Sequence, residues 1–267
     1  MTVSAKPTGS PLVALRGVGK TFPNGIMALK GFELVVRAGE FVTLLGPSGC
    51  GKSTALRIIA GLAEPSAGTV EWAGANRAAH QRRAVRNIGF VFQEPTLMPW
   101  ATIEANVRLP LRLTGPDADW RERVFKALDR VALAGVARLY PRELSGGMKM
   151  RASIARALVT EPPILLMDEP FAALDEITRF RLNDDLLDLW RTLGKTVVFV
   201  THSVFESVYL SNRIVVMSPR PGRVFRELAI DAPYPRDELF RTSAEYAAWC
   251  RLASRALAEA SAAGGAP

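Results

Sequence analysis

Gly46-Pro47-Ser48-Gly49-Cys50-Gly51-Lys52-Ser53-Thr54 decides how this chain is read, because it fills every fixed position of the phosphate-loop pattern G-x-x-x-x-G-K-[ST]. Glycines let the backbone approach phosphate oxygens that a side chain would push away. Backbone N–H groups of the loop and of the helix that follows then point at the anion. Lys52 adds a point charge suited to β- and γ-phosphates, and the Ser53 hydroxyl can ligate Mg²⁺. The flanks agree with the motif. Glu40 to Leu45 is an apolar run that reads as a buried strand, and Thr54 to Ala60 opens a helix. A second Gly-Lys-Thr, Gly19-Lys20-Thr21, is rejected because Ala14 stands where the first glycine should be.

Outward from the loop, the N-terminal side reads as strands. Leu12–Arg16 is a first strand and Phe32–Arg37 a second, with Phe41–Leu45 leading into the loop. Turn signals at Asn24-Gly25 and Ala38-Gly39 predict that these early strands are antiparallel and hairpin-linked. Beyond the first helix come the loop Glu64–Gly68 and the strands Thr69–Trp72 and Ile88–Gln93. From Thr96 to Thr160 the pattern turns helical. Trp120, Val124, Phe125, Leu128 and Val131 recur at helical spacing within Ala118–Ala134. Strand and helix then alternate: Ile164–Met167, Glu176–Leu193, Thr196–Val200, Val204–Ser211, Arg213–Met217. That alternation predicts a parallel α/β core. Val224–Ile230 is a candidate edge strand, Ser243–Ala260 an amphipathic helix, and Ser261–Pro267 a frayed end.

Composition narrows the partners. Of 267 residues, 48% are hydrophobic and 22% charged, as in a folded globular protein. No apolar run approaches the roughly 18 residues that span a bilayer, and Met1–Pro11 is polar, so the chain is expected to be cytoplasmic. Cys50 and Cys250 cannot build a disulfide framework, and with only His80 and His202 a zinc site is not expected. The formal charge of +8 is compatible with nucleic acid, anionic lipid or a nucleotide. Its densest run, Gln81–Arg86, is read as a solvated face.

Two further stretches carry chemistry. Ile164-Leu165-Leu166-Met167-Asp168-Glu169 is an apolar strand ending in two carboxylates. In a phosphate-loop protein, a carboxylate in the Asp168 position faces the Mg²⁺ shell. Glu169, one residue on, can act as general base toward the attacking water. Leu144-Ser145-Gly146-Gly147-Met148-Lys149-Met150-Arg151 opens a helix in which Ser145 suits an N-cap and the two glycines leave backbone N–H groups for an anion.

Leu-Ser-Gly-Gly ahead of an apolar-Asp-Glu strand resembles the signature of the ABC transporter ATPases, and the resemblance covers residues 12–230. It implies a P-loop NTPase α/β core (a parallel sheet with an antiparallel β subdomain) at 12–94 and 161–230. It also implies an inserted helical subdomain at 95–160 and a C-terminal helical tail at 231–267. It further implies roles. Phe22 would stack on adenine, where the competing reading is a core aromatic. Gln93 would touch Mg²⁺ and sense a transmembrane partner. Phe171-Ala172-Ala173-Leu174-Asp175 would communicate across a dimer. His202 would contact the γ-phosphate, where the competing reading is a core histidine. The cofactors implied are ATP and Mg²⁺. Each ATP would lie between the phosphate loop of one copy and Ser145-Gly146-Gly147 of a second.

The chain departs from the family at Met148 (usually glutamine), at Lys149-Met150 (commonly polar) and at Ser203 (usually aspartate), which bears on turnover rate. Met148 and the run Met217-Ser218-Pro219-Arg220-Pro221-Gly222-Arg223 resemble ATPases of the nitrate, sulfonate and taurine importers. That likeness implies a peripheral protein on the cytoplasmic face of the inner (plasma) membrane. Its expected partners are a second copy of itself, an integral-membrane permease whose helix would dock near Gln93–Trp100, and indirectly a solute-binding protein, with no nucleic acid. Rival readings are a soluble ABC ATPase acting on nucleic acid or the ribosome, an ATP-holding regulator and an exporter subunit. The first is disfavoured by a single cassette without sustained heptads.

Overall fold

A computed structural model describes residues 9–73, 87–115 and 117–263 of the chain. His80 and the basic run Gln81–Arg86 lie outside the described residues. The chain divides into two compact units, Met1–Arg86 with Thr196–Pro267, and Asn87–Lys195.

In the first unit, β1 (Pro11–Thr21) pairs antiparallel with β2 (Met27–Arg37) on one side and with β4 (Ala67–Trp72) on the other. β1 runs past its expected end at Arg16 because the ladder slips between Leu15 and Val18, with Gly17 at a left-handed φ of 58°. Such a bulge keeps a strand going where periodicity breaks. A second group has the order β7 (Thr196–Thr201), β3 (Phe41–Leu45), β8 (Arg213–Met217), β9 (Val224–Ala229). β7 and β8 run parallel to β3, and β9 is antiparallel to β8.

The expected hairpin at Ala38-Gly39 is therefore corrected. The turn exists, with Glu40 N–H donating to Arg37 O, but it delivers the chain into a different sheet. All five residues of β3 are buried, and a strand buried on both faces belongs in the middle of a parallel sheet, not in a half-solvated hairpin. The buried Arg213 guanidinium ties this seam, donating to both oxygens of Glu40 at 2.7 and 3.0 Å and to Glu227 at 3.0 Å.

Helix α1 (Lys52–Ile59) follows β3. Helix α6 (Val204–Leu210) follows β7. The C-terminal helices α7 (Glu238–Arg241) and α8 (Ala244–Ala263) belong to the same unit, α8 burying Ala253, Ala256 and Ala260. The tail is anchored by Arg236, itself buried, whose Nη1 donates to the carbonyls of Val208, Tyr209 and Ser211 at 2.8 to 2.9 Å. Those carbonyls are the unsatisfied C-terminal acceptors of α6.

In the second unit, β5 (Ile88–Val91) and β6 (Ile164–Asp168) pair in parallel. Helices α2 (Ile103–Thr114), α3 (Trp120–Asp129) and α4 (Gly146–Leu158) precede β6, and α5 (Glu176–Leu193) follows it. The unit is wider than the helical stretch at 95–160 because α4 lies against β5. A Cβ on Gly89 would come within 2.8 Å of the Ala157 carbonyl and 2.5 Å of Leu165 Cδ2.

Candidate functional site

The first unit holds the phosphate-loop residues. β3 ends at Leu45, the loop turns, and α1 begins at Lys52 with Gly51 as its left-handed N-cap at φ 103°. Only glycine fits there: a Cβ on Gly51 would lie 2.8 Å from Ala28 O and 2.9 Å from Leu29 Cδ2. Cys50 points inward and is buried, its sulfur 2.8 Å from where a Gly46 Cβ would stand. Lys52 is 4% exposed. Its Nζ donates to Gly46 O at 2.8 Å and Pro47 O at 3.0 Å, so the ammonium is held over the loop.

β7 pairs with β3 in register Leu45↔Thr201, so His202 and the loop leave the sheet at the same carboxyl edge. Ligands of open α/β sheets bind at that edge. His202 is exposed, which excludes a core histidine. Ser203, the departure from aspartate, caps α6: its Oγ accepts from Glu206 N–H at 3.3 Å. A serine caps a helix about as well as an aspartate does, so the substitution keeps the turn after His202. Phe22, at the end of β1, is 38% exposed and so is not a core aromatic. Lys20 Nζ stands 5.6 Å from its ring centre.

The second unit holds the other candidates. β5 and β6 pair in register Val91↔Met167, so Gln93, Asp168 (the last residue of β6) and Glu169 lie at the same ends of adjacent strands. Asp168 is buried, while Glu169 is partly exposed and held at φ 45°. A non-glycine residue there costs about 1–3 kcal/mol, a strain typical of functional positions. Ser145 caps α4, its Oγ accepting from Met148 N–H at 3.3 Å. Gly146 and Gly147 let α4 start against the turn that carries Asp175. A Cβ on Gly147 would meet Thr178 Cγ2 at 2.7 Å, and one on Gly146 would meet Leu174 Cδ2 at 3.2 Å. Asp175 caps α5 through Thr178 N–H at 2.9 Å, and that hydrogen bond holds its carboxyl below the usual carboxylate range.

Gln93 opens a segment fixed from both sides. Arg156 donates to Pro95 O and Thr96 O at 2.8 Å, and Asn106 brackets Met98 through its N–H at 2.7 Å and its carbonyl at 3.1 Å. Burial lowers the pKa of the Arg156 guanidinium. Sequence reasoning missed Arg156, Asn106 and Arg236, since each works through backbone groups that no residue pattern announces.

Among the described residues, no cluster of three or more His, Cys, Asp or Glu side chains could hold a metal by itself, and no helix is long and apolar enough to cross a membrane.

Residues 29–172 match a family model described as ABC transporter. The chain is 46% identical over 220 residues to the aliphatic sulfonates import ATP-binding protein SsuB of Bacillus subtilis (strain 168), covering 82% of this chain and 83% of that one. Among solved structures it is similar to the dimeric bacterial ABC transporter cassette MJ0796. The identity is 37% and the TM-score 0.72, over 83% of this chain and all of that one. The same cassette in a dimeric post-hydrolysis state bound to ADP and Pi gives a TM-score of 0.71 at 37% identity, with the same coverage.

Proposed function

We propose, from the premise that the chain belongs to the ABC transporter family as an ATP-binding importer subunit, that two copies hydrolyse ATP head to tail and so drive a separate permease. The observation that carries this is the glycine cradle with a nearly buried Lys52 at the carboxyl edge of a parallel sheet.

In this reading Phe22 stacks on adenine, while Gly46 to Thr54 and Lys52 hold the phosphates. Ser145, Gly146 and Gly147 of the second copy close over the γ-phosphate, with Asp175 at the seam. A water oxygen attacks the γ-phosphorus and gives its proton to Glu169. The bond to the β-phosphate oxygen breaks and ADP leaves. His202 hydrogen-bonds the γ-phosphate.

The donor set fits Mg²⁺, which is bound by one or two carboxylates plus substrate phosphates and not by an all-protein cage. Asp168, Ser53 and Gln93 would hold it. Bound there, it would neutralise charge on the phosphates. The likeness to an aliphatic sulfonates import ATP-binding protein supports a small anionic solute of the sulfonate kind. A solute-binding protein and a place on the cytoplasmic membrane face complete the reading as proposals. Dimeric MJ0796 supports the paired arrangement.

Shared sites are tested by mixing. Lys52→Ala and Ser145→Arg chains should each have little activity alone. Combined under confirmed subunit exchange, they should recover part of it, because one composite site per heterodimer stays intact. No recovery would rule out the head-to-tail pairing.

Phe22 is tested by affinity and melting together. Stacking on a base is worth about 1–3 kcal/mol, so Phe22→Ala should weaken ATP binding about fivefold or more while Phe22→Trp binds normally. Because Phe22 is partly exposed, neither substitution should move Tm much.

A further inference from the structure

Arg220 lies in the connection between β8 and β9, far from the phosphate loop in sequence and against it in space. Its Nε and Nη2 both donate to one acceptor, Gly49 O, at 3.2 Å each. The connection is fixed independently of this contact. Gly222 N–H donates to Ala28 O at 2.8 Å, Lys30 N–H to Gly222 O at 3.1 Å, and Ser218 N–H to Arg223 O at 3.0 Å. Gly222 sits so close beneath the loop that a Cβ there would fall 2.0 Å from Cys50 O. The Arg220 guanidinium is thus delivered to the loop by a braced support.

Gly49 is left-handed at φ 75° and exposed. The peptide joining it to Cys50 is pinned at both ends: its carbonyl by Arg220, its N–H by Pro47 O at 3.3 Å. A glycine peptide without the first of these pins has far more conformational freedom. We propose that Arg220 is a positioning residue for nucleotide binding, presetting the phosphate loop by fixing the Gly49–Cys50 peptide. This rests on the reading of Gly46–Thr54 as the ATP phosphate cradle. A loop ordered before the nucleotide arrives does not spend binding energy on ordering itself. The planar guanidinium fork also suits a two-donor grip that an ammonium cannot reproduce.

The test measures ATP and adenosine affinity, kcat, KM and Tm for Arg220→Ala and Arg220→Lys, with Lys52→Ala alongside. Arg220→Ala is expected to raise Kd and KM for ATP about threefold to tenfold. Its kcat at saturating ATP should stay within about twofold, adenosine affinity should be unchanged, and Tm should hold as for other exposed positions. Arg220→Lys should recover only part of the loss. Unchanged ATP affinity in Arg220→Ala would overturn the proposal, as would full rescue by lysine or a loss of Tm that accounts for the whole effect. If Lys52→Ala loses ATP while Arg220→Ala does not, only the positioning role fails. If Lys52→Ala itself binds ATP normally, the cradle reading fails.

Discussion

Glu169→Gln is expected to bind ATP as the parent chain does and to hydrolyse it about 10²-fold or more slowly, the scale of a lost general base. Glutamine matches glutamate in size, so the turn after β6 should persist, but its amide cannot take the proton from the attacking water. The left-handed backbone of Glu169 supports a built position: a conformation at φ 45° is held against its own cost by the surrounding structure. The phosphate-holding groups, Phe22, Lys52 and Ser53, are untouched. With cleavage blocked, ATP should keep two copies associated through their shared sites. Size-exclusion chromatography with light scattering should show the Glu169→Gln chain moving from monomer to dimer with ATP and not with ADP, while the parent chain shows little dimer. Hydrolysis at the parent rate would remove Glu169 from the base position. An inactive chain that never dimerises would leave the base and reject dimerisation of the subunit without its permease.

Lys52→Ala is expected to lose ATP affinity by at least about tenfold, and hydrolysis with it. Hydrogen bonds to charged groups contribute roughly 1.5–3 kcal/mol each, and each 1.4 kcal/mol or so is a factor of ten. The ammonium is held by Gly46 O and Pro47 O at 2.8 and 3.0 Å, inside the loop whose phosphates it is proposed to bind. Isothermal titration with ATP, beside a melting curve to show that the fold is kept, reads the effect directly. Near-normal binding and turnover would end the phosphate-loop assignment.

The strand, glycine loop and helix around Lys52 were legible in sequence because each is local: an apolar run, a glycine pattern, a helical period. So was the alternation of strand and helix from Ile164 to Met217. What escaped depends on partners far along the chain. Ala38-Gly39 is a true turn, but whether a turn makes a hairpin or changes sheets depends on β7 and β8, which arrive much later. The length of β1 was underestimated because Gly17 and Gly19 break its alternation, while the bulges that absorb the break are visible only against β2 and β4. The candidate site divides in the same way. Its motif residues are quoted straight from the chain. The arginines that hold its loops, Arg156 on Pro95 and Thr96 and Arg220 on Gly49, act on carbonyls, which every residue has.

The seat of β3 between β7 and β8 has a consequence for how the protein is born. Val42 finds its neighbours at Val198 and Arg213, so the central strand waits for strands that are synthesised much later. At about 5–20 residues per second, the ribosome needs on the order of ten to thirty seconds between releasing Leu45 and releasing Thr201. Through that interval Phe-Val-Thr-Leu-Leu is an uncharged, β-prone segment without its partners, the kind of segment that seeks other strands. The β1–β2 hairpin can close early, but the loop suspended from β3 acquires its frame only once β7 and β8 have been made. In the nascent chain, the strand from which the phosphate loop is hung is thus the one left longest without its partners.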